Sequence, residues 1–201
     1  MPKIPLAPGF GEEKILASSF EAGLFPLSSL TESKDLYERF RKEHPKADHY
    51  PYAYCFQGNV KSSDDGEPGG SAGVPLASLL KDNDIEGMVV VARFFGGTKL
   101  GIPRLRRAFL AAAEKAIDNA RLGETRQRYA YSLEVDYSAY ETLKKYADRL
   151  SFSINDVDFG MKVRLKIHSS DRLDELGEKV GLFDLALPEP ELETVLEEID
   201  L

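Results

Sequence analysis

A chain of 201 residues is long enough for one large domain or two smaller ones, each with its own buried core. A composition of 42% hydrophobic and 30% charged residues excludes a disordered protein, and no apolar run is long enough to cross a bilayer. The single cysteine, Cys55, excludes an intramolecular disulfide, and the N-terminus lacks a secretory signal pattern, so we expect a cytoplasmic location.

The net charge of −8 is spread unevenly along the chain. Residues 1–123 carry 16 basic and 16 acidic side chains, whereas residues 124–201 carry 10 basic and 18 acidic ones. This asymmetry predicts two domains with different surfaces, 1–123 and 124–201. The acidic second domain would be repelled by a phosphate backbone, so a basic protein is a possible partner for it.

The first domain is predicted to alternate strands and helices after a loose lead-in at residues 1–11, which holds three prolines and two glycines. The predicted elements, in chain order, are a strand at 12–20, a helix at 31–43, a strand at 50–60, a helix at 74–81, a strand at 87–95 and a helix at 102–120. Three consecutive valines at 89–91 indicate a central strand that is buried on both faces. Cys55 falls in an apolar strand pattern and is predicted to be a core residue.

The second domain is predicted to begin with the element order β-α-β-β-α-β, which is that of a ferredoxin-like unit. Its predicted elements are strand 128–136, helix 138–149, strand 151–158, strand 161–168, helix 170–180, strand 182–187 and a final acidic helix at 189–199. The chain as a whole is therefore predicted to be an α+β protein.

The chain is organised around two polar, glycine-dense segments, 62–75 and 93–109. In the second segment, a strand is followed by a Gly96-Gly97 turn and then by a helix, whose N-terminus can bind an anion. Five cations lie here, with no acid among residues 87–113: Arg93, Lys99, Arg104, Arg106 and Arg107. The pattern is typical of a phosphate or RNA site, and equally of a tight turn whose arginines extend over a helix face.

The first segment, an acidic loop, permits two interpretations. In the first, Asp64, Asp65 and Glu67 supply oxygen ligands to Mg²⁺, or one of them acts as a general base. Alternatively, the two aspartates hold the turns around Gly66, Pro68 and Gly73, while Glu67 pairs with an arginine of the second segment. Ser71 is positioned to cap the helix that follows.

His44 and His49 are separated by a proline turn, and no third nitrogen or sulfur ligand lies nearby, so no zinc site, other metal or cofactor is predicted. We expect His49 to reach the glycine loop. There it can act as a base or simply bond a buried carbonyl.

Three motifs resemble those of the bacterial branch of the IMPACT family. They are His44-Pro45-Lys46-Ala47-Asp48-His49, the run from Asp64-Asp65-Gly66-Glu67-Pro68 to Pro75, and Arg93-Phe94-Phe95-Gly96-Gly97 with Leu100-Gly101. One departure is at Pro103-Arg104, where the family pattern has glycines. A family ligand that contacts the backbone there would be bound differently.

The resemblance implies a first domain with the fold of the second domain of ribosomal protein S5. It also implies a ferredoxin-like second domain resembling the last domain of elongation factor G. Both folds recur on the ribosome, and eukaryotic relatives act in translational control. The leading hypothesis is a non-enzymatic, translation-linked protein that binds RNA phosphate or the ribosome. The alternative is a small-molecule or nucleotide hydrolase using His49, Asp64, Asp65 and Glu67, and the oligomeric state stays open.

Overall fold

The structure, a computed structural model, describes residues 2–182 and 184–199. The chain is an α+β protein that divides into two compact units. The first unit holds residues 2–124 and 197–199, and the second holds 125–182 and 184–196. Within the described residues, none of the helices has the length and apolar character needed to span a membrane.

The first unit contains a five-stranded antiparallel sheet and three helices. Its elements are β1 Lys3–Ala7, β2 Gly9–Ile15, β3 Ser18–Phe25, α1 Glu32–Glu43, β4 Tyr52–Phe56, β5 Asn59–Ser63, α2 Gly73–Asp82, β6 Gly87–Phe94, α3 Ile102–Asp118 and the start of β7 Arg121–Val135. The sheet order is β2-β3-β6-β4-β5. Strand β1 pairs instead with the first residues of β7, in the register Lys3↔Glu124.

Strand β6 lies at the centre of this sheet and is buried on both faces, which confirms the prediction from its valines. Because side chains alternate along a strand, Val89 and Val91 enter the core beside Phe109 of α3. Val90 points the other way, into the core beside Phe40 of α1. Helices α2 and α3 therefore cover one face of the sheet and α1 covers the other.

The N-terminal prediction is wrong in two respects. The predicted loose lead-in at residues 1–11 instead contains β1 and the first three residues of β2. Pro5 is compatible with β1 because this edge strand pairs with β7 on one side and is bridged on the other at Lys3, to Ile85, so a missing N–H at Pro5 can be tolerated. The strand predicted at 12–20 is also interrupted, by a turn at residues 16–17 that joins β2 to β3.

The strand predicted at 50–60 is likewise a hairpin. Strands β4 and β5 are joined by Gln57 and Gly58, which both have positive φ. Cys55, on β4, is buried in the core as predicted, and burial raises the pKa of its thiol. A reactive thiolate at Cys55 is therefore disfavoured.

The second unit contains the order β-α-β-β-α-β. Its elements are the rest of β7, α4 Tyr137–Tyr146, β8 Phe152–Phe159, β9 Val163–Ser169, α5 Leu176–Lys179 and the part of β10 Glu191–Ile199 that precedes residue 197. Antiparallel pairing places β9 between β7 and β8, and β10 pairs with β7, which gives the strand order β10-β7-β9-β8. Alternate residues of β7 and β9, such as Leu133 and Leu165, form its core with Leu143 of α4.

The final acidic helix predicted at 189–199 is wrong, because this segment forms β10. Its glutamates and leucines favour a helix when they are taken alone, but alternate residues from Glu193 to Ile199 are half-buried, with the period of a strand. Glu193 forms an ion pair with Lys166 of β9 at 2.7 Å, and its second carboxylate oxygen lies 3.0 Å from Nε2 of His168 on the same strand. Long-range pairing, which local propensity does not report, fixes the strand.

Two further elements of the second unit differ from expectation. The helix predicted at 170–180 is reduced to the four residues of α5. The strand predicted at 182–187 is absent from residue 182 and from residues 184–187, and Phe183 lies outside the described residues.

Candidate functional site

Asp64 holds the loop that joins β5 to α2. Its carboxylate accepts hydrogen bonds from the backbone N–H groups of Gly70, Ala72 and Gly73, at 2.8, 2.9 and 2.8 Å. Because α2 begins at Ala72 and Gly73, Asp64 supplies an acceptor to the free donors of that helix start. Partial burial acts to raise the pKa of Asp64, but the three donors together outweigh it and lower the pKa.

Ser71 does not cap α2, contrary to the sequence prediction. The N-cap residue is Ala72, and no side chain of the cap position bonds the helix. Ser71 is fully buried, and its Oγ has no hydrogen-bond partner among the described residues. The Ser71-Ala72-Gly73 pattern correctly predicted where α2 begins, but it did not identify the side chain that accepts hydrogen bonds from the helix start. That side chain is Asp64, which lies eight residues before Ala72.

Asp65 attaches the same loop to the segment that precedes β4. Its carboxylate accepts from the N–H of Tyr50 at 2.7 Å, and its carbonyl oxygen contacts Nδ1 of His49 at 2.8 Å. A carbonyl oxygen can only accept, so Nδ1 of His49 carries a proton and donates it to Asp65. His49 therefore reaches the glycine loop and bonds a backbone carbonyl, which is one of the two roles that the sequence left open.

Glu67 and Arg93 form a buried ion pair between the two glycine-dense segments. Nη1 of Arg93 donates to Oε1 and Oε2 of Glu67, at 2.7 and 2.5 Å, and the two side chains are only 8% and 1% exposed. The guanidinium also lies between the rings of Phe20 and Phe95, at 5.6 and 5.3 Å from their centroids. The predicted pairing of Glu67 with an arginine of the second segment is confirmed.

The three loop carboxylates are thus all engaged in holding structure. Asp64 faces backbone donors, Asp65 bonds Tyr50, and Glu67 neutralises Arg93. Among the described residues, no group of three or more histidine, cysteine, aspartate or glutamate side chains is arranged to hold a metal ion. The geometry favours the structural interpretation of the loop over the chemical one.

The turn after β6 depends on two glycines. A Cβ on Gly96 would lie only 1.9 Å from the carbonyl oxygen of Ala17, and Gly97 has φ of 84°, so each position requires glycine for a separate reason. Asp48 fixes the same turn, because its carboxylate accepts from the N–H of Phe95 at 2.8 Å.

Helix α3 begins after Gly101, with Pro103 in its first turn and no side-chain cap. Its N-terminal region is cationic. Four side chains here are exposed and make no hydrogen bond or ion pair within the described part of the chain: Lys99, Arg104, Arg106 and Arg107. We call these four residues the basic junction. Arg93 was expected among them, but its charge is paired with Glu67.

A cleft of about 420 Å³ lies between the acidic loop and the start of α3. It is lined by Asp48, His49, Gly66, Glu67, Pro68, Arg93, Phe95, Lys99, Leu100, Gly101, Ile102 and Leu105. The structure therefore brings His49, Glu67 and Lys99, from three separate motifs, to one place. The sequence analysis missed Phe95 and Ile102 as lining residues. A large apolar residue directly beside a glycine, as at Phe95-Gly96 and Gly101-Ile102, was a usable signal.

Several residues predicted for the site do not line this cleft. Gly96, Gly97, Asp64, Asp65, Ser71 and Gly73 shape the surrounding turns, and Arg104, Arg106 and Arg107 lie on α3 outside the lining. His44 is elsewhere: its Nδ1 lies 2.8 Å from the carbonyl oxygen of Phe40, at the end of α1, and its ring stacks on Phe40. His44 therefore supports the fold and does not act with His49.

The family model of the Impact N-terminal domain matches residues 16–117, which include the loop, the cleft and nearly all of α3. The chain belongs to the IMPACT family. The IMPACT family member YvyE of Bacillus subtilis is 27% identical over 168 residues, covering 81% of this chain and 77% of that protein. YigZ of Escherichia coli, also an IMPACT family member, is 28% identical over 170 residues, covering 82% of this chain and 83% of its own length.

The likeness extends beyond the N-terminal domain. An IMPACT family member of Haemophilus influenzae is 28% identical over 170 residues and covers 82% of both chains. A solved crystal structure, described as that of a hypothetical protein, matches with a TM-score of 0.58 at 27% identity and covers 100% of this chain and 98% of the other.

Pro103 and Arg104 determine what the first turn of α3 can offer to an anion. Proline has no N–H, so this turn has one free backbone donor fewer than a turn without proline. Arg104 adds an exposed cation at the next position.

We expect Glu67→Gln to lower the free energy of unfolding by about 3 kcal/mol, because it leaves the buried Arg93 charge without a counter-charge. Denaturant unfolding at neutral pH measures this loss. Asp158→Asn is the matched control, since it removes the acid of an exposed ion pair with Arg164 and should change stability by less than about 1 kcal/mol. A Glu67→Gln variant as stable as the control would contradict a structural role for the pair.

A second prediction concerns pH. The pKa of Asp64 is lower in the folded protein than in the unfolded chain, so its stabilisation is present above the unfolded value, about 3.9, and is lost as the pH falls through the folded value. Asp64→Asn should therefore cost about 2 kcal/mol at pH 7, and the difference from the unmodified protein should shrink on acidification. Asp82→Asn, at the other end of α2, is the control and should lose nothing at pH 7. A stability difference between Asp64→Asn and the unmodified protein that does not change with pH would refute the lowered pKa of Asp64.

The third prediction compares two serines near the loop. Ser71→Ala removes a buried hydroxyl that has no partner in the described structure, so stability should stay the same or rise by about 1 kcal/mol. Ser63 accepts a hydrogen bond from the N–H of Asp65, so Ser63→Ala should lower stability by about 1 kcal/mol. Thermal unfolding distinguishes the two, and equal losses would show that Ser71 has a partner after all.

Proposed function

We propose that this chain binds RNA phosphate groups, in RNA alone or on the ribosome, through the basic junction. The observation that carries the proposal is that Lys99, Arg104, Arg106 and Arg107 are exposed and, within the described residues, unpaired. Side chains held in ion pairs have already lost much of their attraction for a phosphate. These four keep it, and they lie within nine consecutive residues.

The groups around the basic junction also favour a negatively charged ligand. The start of α3 contributes the positive end of a helix dipole and backbone N–H groups that no side chain caps. Residues 87–113 contain no acid. Two carboxylates line the cleft: that of Glu67 is neutralised by Arg93, and that of Asp48 accepts a hydrogen bond from the N–H of Phe95.

The proposal includes a place for the protein in translation. The first unit is proposed to have the fold of the second domain of ribosomal protein S5, which the IMPACT membership supports. The second unit is proposed to be ferredoxin-like, and the strand order β10-β7-β9-β8 supports this. We propose a cytoplasmic, ribosome-associated accessory role in the regulation of translation, in which the acidic second unit stays away from phosphate and meets a protein partner.

The fourth prediction tests the junction. RNA affinity should fall with added salt, and an Arg104→Ala/Arg107→Ala variant should bind more weakly with a shallower salt dependence. For single strands, the slope of log K against log salt should fall by about 0.7 for each phosphate contact that is lost. Fluorescence anisotropy with a labelled single-stranded RNA, repeated over a salt series, gives both quantities.

An Arg39→Ala/Lys42→Ala variant is the matched control. It removes the same charge from exposed positions of α1, on the opposite face of the sheet. Its slope should equal that of the unmodified protein. If both variants lose affinity equally, net charge alone explains the binding and the junction is not the contact surface.

A further inference from the structure

The cleft beside the basic junction has more apolar surface than phosphate binding requires. Phe95 and Ile102 are 45% and 53% exposed, although apolar side chains of this size are usually buried. Pro68, Leu100 and Leu105 continue the same apolar lining. A cleft of about 420 Å³ is of the size that takes a small organic ligand, and its lining calls for one with a flat or apolar body.

The polar groups of the cleft carry little net charge but keep hydrogen-bonding capacity. Glu67 and Arg93 neutralise each other, which leaves Nε of Arg93 as a buried donor without a partner among the described residues. His49 donates through Nδ1 to Asp65, so its Nε2 is the ring nitrogen left to hydrogen-bond a ligand, and nothing in the described structure occupies it. A ligand body with both donors and acceptors on its edge, as every nucleobase has, suits such a lining.

One side of the cleft is shared with the phosphate-binding elements. Lys99 and Gly101 line the cleft, and Gly101 is also the N-cap of α3, whose first-turn N–H groups have no side-chain cap. Arg104 follows within the first turn. An anionic group attached to a ligand in the cleft would therefore meet a cation and the positive end of a helix at the same time.

We propose that the cleft holds one unpaired nucleotide, with its base against Phe95 and its phosphate at Lys99 and the start of α3. One side of the Phe95 ring lies against the guanidinium of Arg93, and the ring nevertheless remains 45% exposed, which leaves aromatic surface for a base. The inference rests on the proposed function and narrows its ligand to single strands or free nucleotides. A base inside a duplex is stacked on both faces and paired along one edge, so it cannot enter the cleft.

The experiment compares three ligands on the full chain: a short single-stranded oligoadenylate carrying one 2-aminopurine, the same strand in a duplex, and adenosine 5′-monophosphate. The single strand should bind more tightly than the duplex, with a change in 2-aminopurine fluorescence as the base leaves its neighbours and meets Phe95. Calorimetry measures the binding of adenosine 5′-monophosphate. It therefore shows whether the cleft takes a free nucleotide or only a nucleotide within an RNA strand.

Phe95→Leu keeps apolar bulk but removes the aromatic face, so it should weaken binding of the single strand about tenfold. Phe95→Tyr keeps the ring and should bind as the unmodified protein does. Phe159→Leu is the matched control, because Phe159 is an exposed phenylalanine of the second unit and does not line the cleft. Thermal unfolding of each variant ensures that folded proteins are compared.

The outcomes separate the two proposals. Salt-dependent binding that is equal for single strand and duplex, and unchanged in Phe95→Leu, overturns the nucleotide cleft and leaves phosphate binding intact. Binding of adenosine 5′-monophosphate that is weakened in Phe95→Leu, without any binding of RNA, supports the cleft and overturns the proposed function. No binding of any of the three ligands overturns both.

Discussion

The ion pair between Glu67 and Arg93 is the interaction on which the site depends. Each charge is expensive to remove from water alone, and both are removed together because they meet at 2.5 to 2.7 Å. Glu67 comes from a glycine-rich loop with few apolar residues, and Arg93 comes from β6, the central strand of the sheet. The pair therefore fixes a loop that has almost no core of its own against this central strand.

The pair also determines what the neighbouring surface can attract. By neutralising each other, Glu67 and Arg93 remove one negative and one positive charge from the lining of the cleft. The remaining attraction for anions then comes from side chains on the outside of α3. Because Arg93 lies against Phe95, the same pair holds an aromatic ring at the cleft, so charge pairing and the presentation of an apolar surface have one origin.

The sequence predicted the parts of this architecture that local patterns encode. The valines of β6 and the apolar face of α3 specify their elements. One of the two interpretations of the acidic loop paired Glu67 with an arginine of the second segment, but the sequence did not identify Arg93 as that arginine and grouped it with the anion-binding cations. Helix capping by Asp64 could not be foreseen, because its donors lie six to nine residues away in a loop of unknown path. Strand β10 was misassigned for a related reason: what decides it is pairing with distant strands. The cleft itself follows from tertiary structure alone.

The pairing of β1 with residues near 124 has a consequence for how the protein is made. At typical rates of synthesis, about 5 to 20 residues per second, β1 leaves the ribosome roughly ten seconds before its partner strand exists. During that interval an unpaired strand is a hazard, because its edge can template pairing with another nascent chain. Pro2, Pro5 and Pro8 lack the N–H groups that such pairing requires. The prolines that made residues 1–11 look like a loop in the sequence therefore also reduce the pairing of β1 with other chains before its partner strand has been synthesised.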